Sequence, residues 1–288
     1  MAKMPASSRP LLRWHGGKWL LAPWIISHFP PHRTYVEPFG GAASVLIRKE
    51  RSYAEVYNDL DDDVVNLFRV IRDDEQSEAL HFAVLHTPFA RTEFNEAYLP
   101  TNDPVEKARR LIIRSFMGFG SGGHNNARPT GFRANSNRSG TTPAGDWTNY
   151  NEALELIIWR VRGLVIEHRP AIEVMAQQDQ PTTLHYVDPP YVHATRSKAK
   201  NSTRKNYAHE MTDDDHRKLL DFLPTLKGMV VLSGYPTPMY DHALTGWERV
   251  ERLALADGAR ERTEVLWINQ PASAARHIAQ PSFAGIAA

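Results

Sequence analysis

The sequence predicts an α/β domain organised around an open sheet. Three observations lead there. Short apolar runs alternate with segments of helical period along most of the chain. An early run at 34–37 passes into a turn of small residues, Pro38-Phe39-Gly40-Gly41-Ala42-Ala43-Ser44, and then into a helix. A later run, Leu184-His185-Tyr186-Val187, has a buried-strand pattern and stops at Asp188-Pro189-Pro190-Tyr191.

Composition narrows the class. The chain has 288 residues, enough for one large α/β domain or one domain with an insert. It has no cysteine, which excludes disulfides and Cys-ligated zinc and fits a reducing compartment. There is no signal-peptide pattern and no apolar run of membrane-span length, so the expected location is cytoplasmic, without membrane attachment. The net charge of +1 says little, because a nucleic-acid binder needs a basic face rather than a basic average. The histidines do not cluster at ligand spacing, no His-Glu-x-x-His occurs, and no metal is expected.

In chain order, residues 1–10 read as a loose tail. Arg13-Trp14-His15-Gly16-Gly17-Lys18-Trp19 fails as a phosphate loop, since Leu12 and Trp19 stand where Gly and Ser or Thr belong. It is either a turn entering a helix at 20–29 or a loop bringing Trp14 and Lys18 over a ligand. Residues 34–37 are a strand and 45–50 a helix. Gly40-Gly41 alone reads as an ordinary βα turn, although strand, small-residue turn and helix is also how an adenosine-bearing cofactor is cradled. A helix N-terminus here favours an anionic group such as a carboxylate. A second strand at 53–57 ends in Asn58-Asp59. An acid about 20 residues past the glycine turn suits a ribose hydroxyl pair. Asp59 also suits the N-cap of the helix at 61–72, and both readings stand.

Residues 75–120 are helical in period, with Ala79, Phe82, Ala83 and Leu85 on one face. Further along, Ala108, Leu111, Ile112 and Ser115 share a face, and Arg109, Arg110 and Arg114 on the opposite side read as a solvated face. Residues 118–149 are rich in Gly and Asn, carry Arg128, Arg133, Asn135 and Arg138, and offer nothing to build a core. A polar loop that long is functional or disordered. Arg and Asn read base edges, which favours nucleic-acid contact.

A helix at 150–160, a strand at 164–168 and a helix at 171–177 lead to the central strand. Its two prolines end ladder pairing and stiffen the backbone. A carboxylate and an aromatic ring therefore meet at a strand's C-terminal end, where ligands bind in open α/β sheets. Asp188 can accept a hydrogen bond from an amine, the Pro189 carbonyl can accept another, and Tyr191 offers a face for a base. The alternative is an ordinary strand-to-turn corner. The loop that follows carries Arg196, Lys198, Lys200, Arg204 and Lys205 with no acid until Glu210, which suits phosphate contacts or a solvated loop. Thr212 caps a helix with Asp215 closing the box. Strands follow at 229–232, 247–255 and 265–268, and the tail from Pro271 reads as disordered.

Four features co-occur: Arg13-Trp14-His15-Gly16-Gly17-Lys18; the run Val36 to Val45 through Glu37-Pro38-Phe39-Gly40-Gly41; Asn58-Asp59; and Val187-Asp188-Pro189-Pro190-Tyr191. In this combination the chain resembles, over roughly residues 11–268, the Dam-type, or D12 class, site-specific DNA adenine N6-methyltransferases. One departure is Ala43, where that family usually has glycine. Alanine is the mildest replacement unless the position needs a positive φ.

The resemblance implies a seven-stranded, mostly parallel Rossmann-like methyltransferase sheet, with helices on both faces and an antiparallel pair at the end. It implies a catalytic domain from 1–74 and 150–288 and an inserted, mostly helical target-recognition region at 75–149. The implied cofactor is S-adenosyl-L-methionine. Trp14 and Lys18 would line its pocket, with Glu37, Phe39 and Gly41 near its methionine part. Asp59 would hold the ribose and Asp188 would touch both cofactor and target. The implied partner is double-stranded DNA, in which the target adenine must be flipped out. Tyr191 would stack on the base, Asp188 and the Pro189 carbonyl would take the N6 hydrogens, and Pro190 would stiffen the turn. Arg109, Arg128, Arg133, Asn135, Arg196, Lys198 and Lys200 are the candidate DNA contacts. A cytosine N4-methyltransferase, an RNA adenine methyltransferase and a nucleic-acid-binding module without turnover remain as alternatives, with a nicotinamide oxidoreductase further off.

Overall fold

The computed structural model describes residues 7–120, 122, 129–135, 140–192, 209–256 and 260–279. Among these, seven strands form one sheet: β1 (Thr34–Glu37), β2 (Ala54–Asn58), β3 (Val165–Glu167), β4 (Thr183–Val187), β5 (Met229–Gly234), β6 (Glu248–Ala256) and β7 (Arg260–Ile268). Their order is β3-β2-β1-β4-β5-β7-β6. Neighbours from β3 to β5 pair in parallel, and β7 runs antiparallel to both β5 and β6. This is the expected sheet, antiparallel pair included.

The helices are α1 (Ala22–Ile26), α2 (Ser44–Arg48), α3 (Asp62–Arg72), α4 (Asp74–Leu85), α5 (Arg91–Glu96), α6 (Pro104–Met117), α7 (Pro143–Thr148), α8 (Tyr150–Val161), α9 (Ala171–Gln177), α10 (Asp213–Phe222), α11 (Pro238–Ala243) and α12 (Gln270–Ala279). Alternation along the strands sends side chains to opposite faces. Tyr35, Tyr57, Leu184, Tyr186 and Val231 join a core with α2, α3, α4, α6 and α8. Val187, Val230, Leu232 and Trp267 pack on the other face against α9, α10 and α11. The helices of the 75–149 stretch share the first of these cores, through Leu80, Phe94, Ile112 and Trp147.

At the N-terminal edge of the sheet a buried charge cluster ties β2 to α2 and α8. Glu55 takes both arms of Arg160 at 2.7 and 2.9 Å and Lys49 at 2.7 Å. Burial alone would raise the Glu55 pKa, but Arg160 and then Lys49 reverse this and hold it below the usual carboxylate range.

Four local expectations are corrected. In α4 the buried stripe is Ser77, Leu80 and Val84, whereas Phe82 and Leu85 are exposed. Ser77 concealed that stripe, and its hydroxyl is satisfied by the Asp74 carbonyl at 3.0 Å. The arginine side of α6 is not solvated. Arg114 is buried, bonding the Ala97 carbonyl at 2.7 Å and Asp63 at 2.9 Å. Residues of 118–149 do contribute to the core: Phe132 packs on Phe89 and Phe94, and Trp147 is buried. The tail from Pro271 begins as α12, because Asn269 accepts the Ala272 N–H at 3.1 Å and proline is tolerated in a first turn.

His185 sits on β4, fully buried, and neither ring nitrogen has a partner among the described residues. Burial pushes its pKa down from 6.5 to about 4, with Asp179 opposing weakly. The unfolded chain therefore binds more protons between these values, so stability present above pH 6.5 is lost as pH falls toward 4. The full loss is on the order of 3 kcal/mol. Denaturant titrations at pH 7 and pH 5 should show about 2 kcal/mol of this loss in the native protein and much less in His185→Leu. Equal slopes in the two proteins would show that His185 is not the group responsible.

Candidate active site

The chain leaves β1 toward β2, while β4 lies on β1's other side. At that divergence the C-terminal strand ends open into a crevice, the general ligand position of such sheets. A cavity of ≈ 360 Å³ occupies it. That falls in the size range of small-molecule and cofactor sites, roughly 300–1,000 Å³. All ten residues expected for catalysis or cofactor binding line it: Trp14, Lys18, Glu37, Phe39, Gly41, Asp59, Asp188, Pro189, Pro190 and Tyr191. His209, Glu210, Met211 and Asp215 line it as well. Sequence reading missed these four, and only the capping box at Thr212 marked the place.

The turn after β1 is shaped by close approaches. A Cβ on Gly40 would lie 2.1 Å from the Tyr57 ring, and one on Gly41, at φ +48°, would lie 2.7 Å from the Trp14 indole nitrogen. Asp59 accepts the Gly41 N–H at 2.7 Å and the Asp61 N–H at 2.8 Å, so its carboxylate braces the turn. The N-cap of α3 is Asp61, not Asp59. Ala43 adopts φ 50°, ψ 39°, the left-handed region that favours glycine. The position therefore does need a positive φ, and alanine there is strained.

Glu37 is buried and its carboxylate accepts the Tyr35 hydroxyl at 2.8 Å and the Leu46 N–H at 3.0 Å. The acid expected at the start of α2 is thus the chain's own carboxyl group. Burial pushes the Glu37 pKa up to about 8; Asp188 adds to this, and the two hydrogen bonds oppose it.

Across the crevice, the buried Lys18 ammonium meets Asp188 Oδ1 at 2.9 Å, the Gly16 carbonyl at 3.1 Å and the Tyr191 hydroxyl. Burial works against its charge, but Asp188 and then Glu264 override that and hold it protonated. The ammonium lies 4.7 Å from the Tyr191 ring centroid. Because it bonds the phenol oxygen, it sits at the hydroxyl end rather than above the face. One face of Tyr191 is already stacked on Tyr235, centroid to centroid 4.3 Å. Ser233, at the end of β5, donates to Asp188 Oδ1 at 2.7 Å. Sequence reading missed Ser233, Tyr235 and Glu264, which come from strands without a motif. The only signal was a small residue ending the strand beside the central one.

The described DNA-contact candidates, Arg109, Arg133 and Asn135, do not line the cavity. Arg109 is held by Glu93 at 2.8 Å, Glu106 at 2.6 Å and Thr87 at 2.9 Å, so its guanidinium is engaged within the helical layer. Arg133 donates to the Phe116 carbonyl at 2.9 Å, beside a short antiparallel bridge between Gly118 and Phe132, and Asn135 is exposed. Arg128, Arg196, Lys198 and Lys200 lie outside the described residues. Among the described residues no group of His, Cys, Asp or Glu could hold a metal ion, and no helix is long and apolar enough to cross a membrane.

Fold and site define an α/β protein with a cofactor-sized pocket opening onto an Asp-Pro-Pro-Tyr turn. The chain belongs to the D12 class N6 adenine-specific DNA methyltransferases, whose family model matches residues 14–252. It is 28% identical over 117 residues to the DNA adenine methylase of Escherichia coli K12, covering 39% of this chain and 42% of that protein. It is 34% identical over 65 residues to that of Serratia marcescens, covering 23% of this chain and 24% of the relative. The chain thus matches less than half the length of these relatives.

The strain at Ala43 has a measurable consequence. A left-handed non-glycine residue costs roughly 1–2 kcal/mol. Glycine's extra freedom in the unfolded chain takes back about 0.4–1 kcal/mol. Ala43→Gly is therefore expected to raise unfolding stability by up to about 1.5 kcal/mol, and Gly41→Ala to lower it by more. Urea titrations decide this, and a destabilised Ala43→Gly would refute the strain.

Proposed function

We propose that the protein transfers the methyl group of S-adenosyl-L-methionine to the N6 amine of an adenine flipped out of double-stranded DNA. The observation that carries this is Asp188, paired with Lys18 beside Tyr191 in the lining of the cavity. Family membership supports adenine over cytosine N4 or RNA as the target, and the intact Asp188 and Tyr191 speak against a module without turnover.

The residues fit the cofactor. The Gly41 turn lets the backbone approach a ligand, Trp14 and Phe39 offer apolar walls, and Glu37 is a buried acid suited to a cationic group. When bound, S-adenosyl-methionine supplies an electrophilic methyl on a sulfonium centre. Asp59 still has lone-pair capacity for a ribose hydroxyl beyond its backbone N–H bonds from Gly41, Leu60 and Asp61. Asp188 and the Pro189 carbonyl accept the two amine hydrogens, which bends the amine and turns its lone pair to the methyl. Pro190 keeps that turn stiff, and the base stacks on the Tyr191 face not covered by Tyr235. The gain is orientation plus electrostatic complementarity to charge growing on nitrogen.

Residues 75–149 would provide target recognition, with Arg133, Asn135 and Arg128 toward base edges. Arg196, Lys198 and Lys200 would meet phosphates. Arg109 is the weakest of these candidates, because its guanidinium already has internal partners.

Tritiated methyl transfer to DNA, with digestion to identify the modified base, tests the reading. Asp188→Ala should abolish N6-methyladenine formation, while activity within a few-fold of the native protein would end it. Run over random DNA, the same assay reports the methylated motif. Arg133→Ala or Asn135→Ala should relax that motif, and an unchanged motif would place recognition elsewhere.

Cofactor placement has its own readout. At pH 7 Glu37, with a pKa near 8, holds its proton. A cationic group beside it favours the carboxylate. Calorimetry in buffers of different ionisation enthalpy should then show proton release on S-adenosyl-methionine binding, lost in Glu37→Gln. Equal release from both proteins would move the ammonium away from Glu37.

A further inference from the structure

We infer that Ser233 is a positioning residue that commits one oxygen of Asp188 to the protein and leaves the other for the substrate amine. The inference rests on the reading of Asp188 as the amine's acceptor. Among the described residues both contacts of the carboxylate fall on Oδ1: Lys18 Nζ at 2.9 Å and Ser233 Oγ at 2.7 Å. Two donors fill the two lone pairs of that oxygen. Among the described residues no donor reaches Oδ2, while Asp188 lines the cavity with 17% of its side chain exposed. Oδ2 is the oxygen left for a ligand.

The placement follows from the sheet. Val187 on β4 pairs with Leu232 on β5, so Ser233 and Asp188 leave adjacent strand ends together. Ser233 is buried, and its oxygen lies 3.0 Å from the buried Tyr186 hydroxyl. The serine's single proton goes to the carboxylate, which only accepts, so the Tyr186 hydroxyl must donate to Ser233. A polarised chain runs Tyr186 to Ser233 to Asp188, each bond strengthening the next. Held by Lys18 alone, the carboxylate can swing about one contact. Held by two converging donors, its plane is fixed.

The same geometry accounts for an amide at this position. In Asp188→Asn the oxygen is drawn to Lys18 and Ser233, because both are donors. The NH2 is then turned toward the substrate amine, donor against donor.

Single-turnover methylation with saturating cofactor and DNA tests the assignment, together with separate dissociation constants for each. A small misplacement of an attacking group costs up to about 100-fold in rate. Ser233→Ala should lower the single-turnover rate by about 10- to 100-fold with both dissociation constants within about threefold of native. Tyr186→Phe, which keeps the ring and loses the hydroxyl, should show a smaller loss of the same kind. Asp188→Asn should fall below both. A near-native rate in Ser233→Ala beside an inactive Asp188→Asn would overturn the role of Ser233 and leave Asp188 standing. A rate loss matched by weakened cofactor or DNA binding would overturn it as well. A near-native Asp188→Asn would overturn both readings together.

Discussion

The buried Lys18–Asp188 pair is the interaction on which the site depends. An ammonium removed from water carries a desolvation cost of several kcal/mol and persists only when it is paired and hydrogen-bonded. Lys18 satisfies this with one carboxylate, one carbonyl and one phenol. Those partners come from the loop before α1 and from the turn after β4, so the pair fastens the start of the chain to the middle of the sheet. The loop is anchored behind it: Leu11 and Leu12 are buried, Tyr150 bonds the Leu11 carbonyl at 2.7 Å, and Ser115 takes the Arg13 N–H at 2.7 Å. One charge thus fixes the loop, gives Asp188 one of its two donors and holds the Tyr191 hydroxyl.

Much of this was legible in the sequence, and the exceptions share a cause. Strands and motif turns were readable because each is a local signal: an apolar run, a pair of prolines, two glycines. The ten cavity residues lie in such stretches. What escaped depends on partners far along the chain. The α4 stripe hid behind Ser77, a polar residue with a local acceptor. Arg114 resembled a surface charge because nothing near it shows that Asp63 lies 2.9 Å away. Ser233 lies at the end of an ordinary strand and Tyr235 follows it, and only the β4–β5 register brings them to Asp188 and Tyr191.

The turn after β1 shows how close packing restricts residue choice. Gly40 and Gly41 are required by a tyrosine ring and an indole that lie where a Cβ would be. Ala43 is different, since its strain is in the backbone and not in a clash. Strained backbone survives where the surroundings over-determine it. Here Asp59 and the Tyr57 hydroxyl, 2.7 Å from the Gly41 carbonyl, hold the turn from the β2 side.

The Lys18–Tyr191 contact joins residues 173 positions apart. During synthesis, the loop that carries Lys18 emerges long before its carboxylate exists. An uncompensated ammonium is not buried, so that loop stays in water until β4 has left the ribosome and paired beside β1. The pocket therefore closes late and as a unit. A nascent chain cut short before β4 has the glycine turn and Asp59 but lacks Asp188 and Tyr191 from the pocket lining.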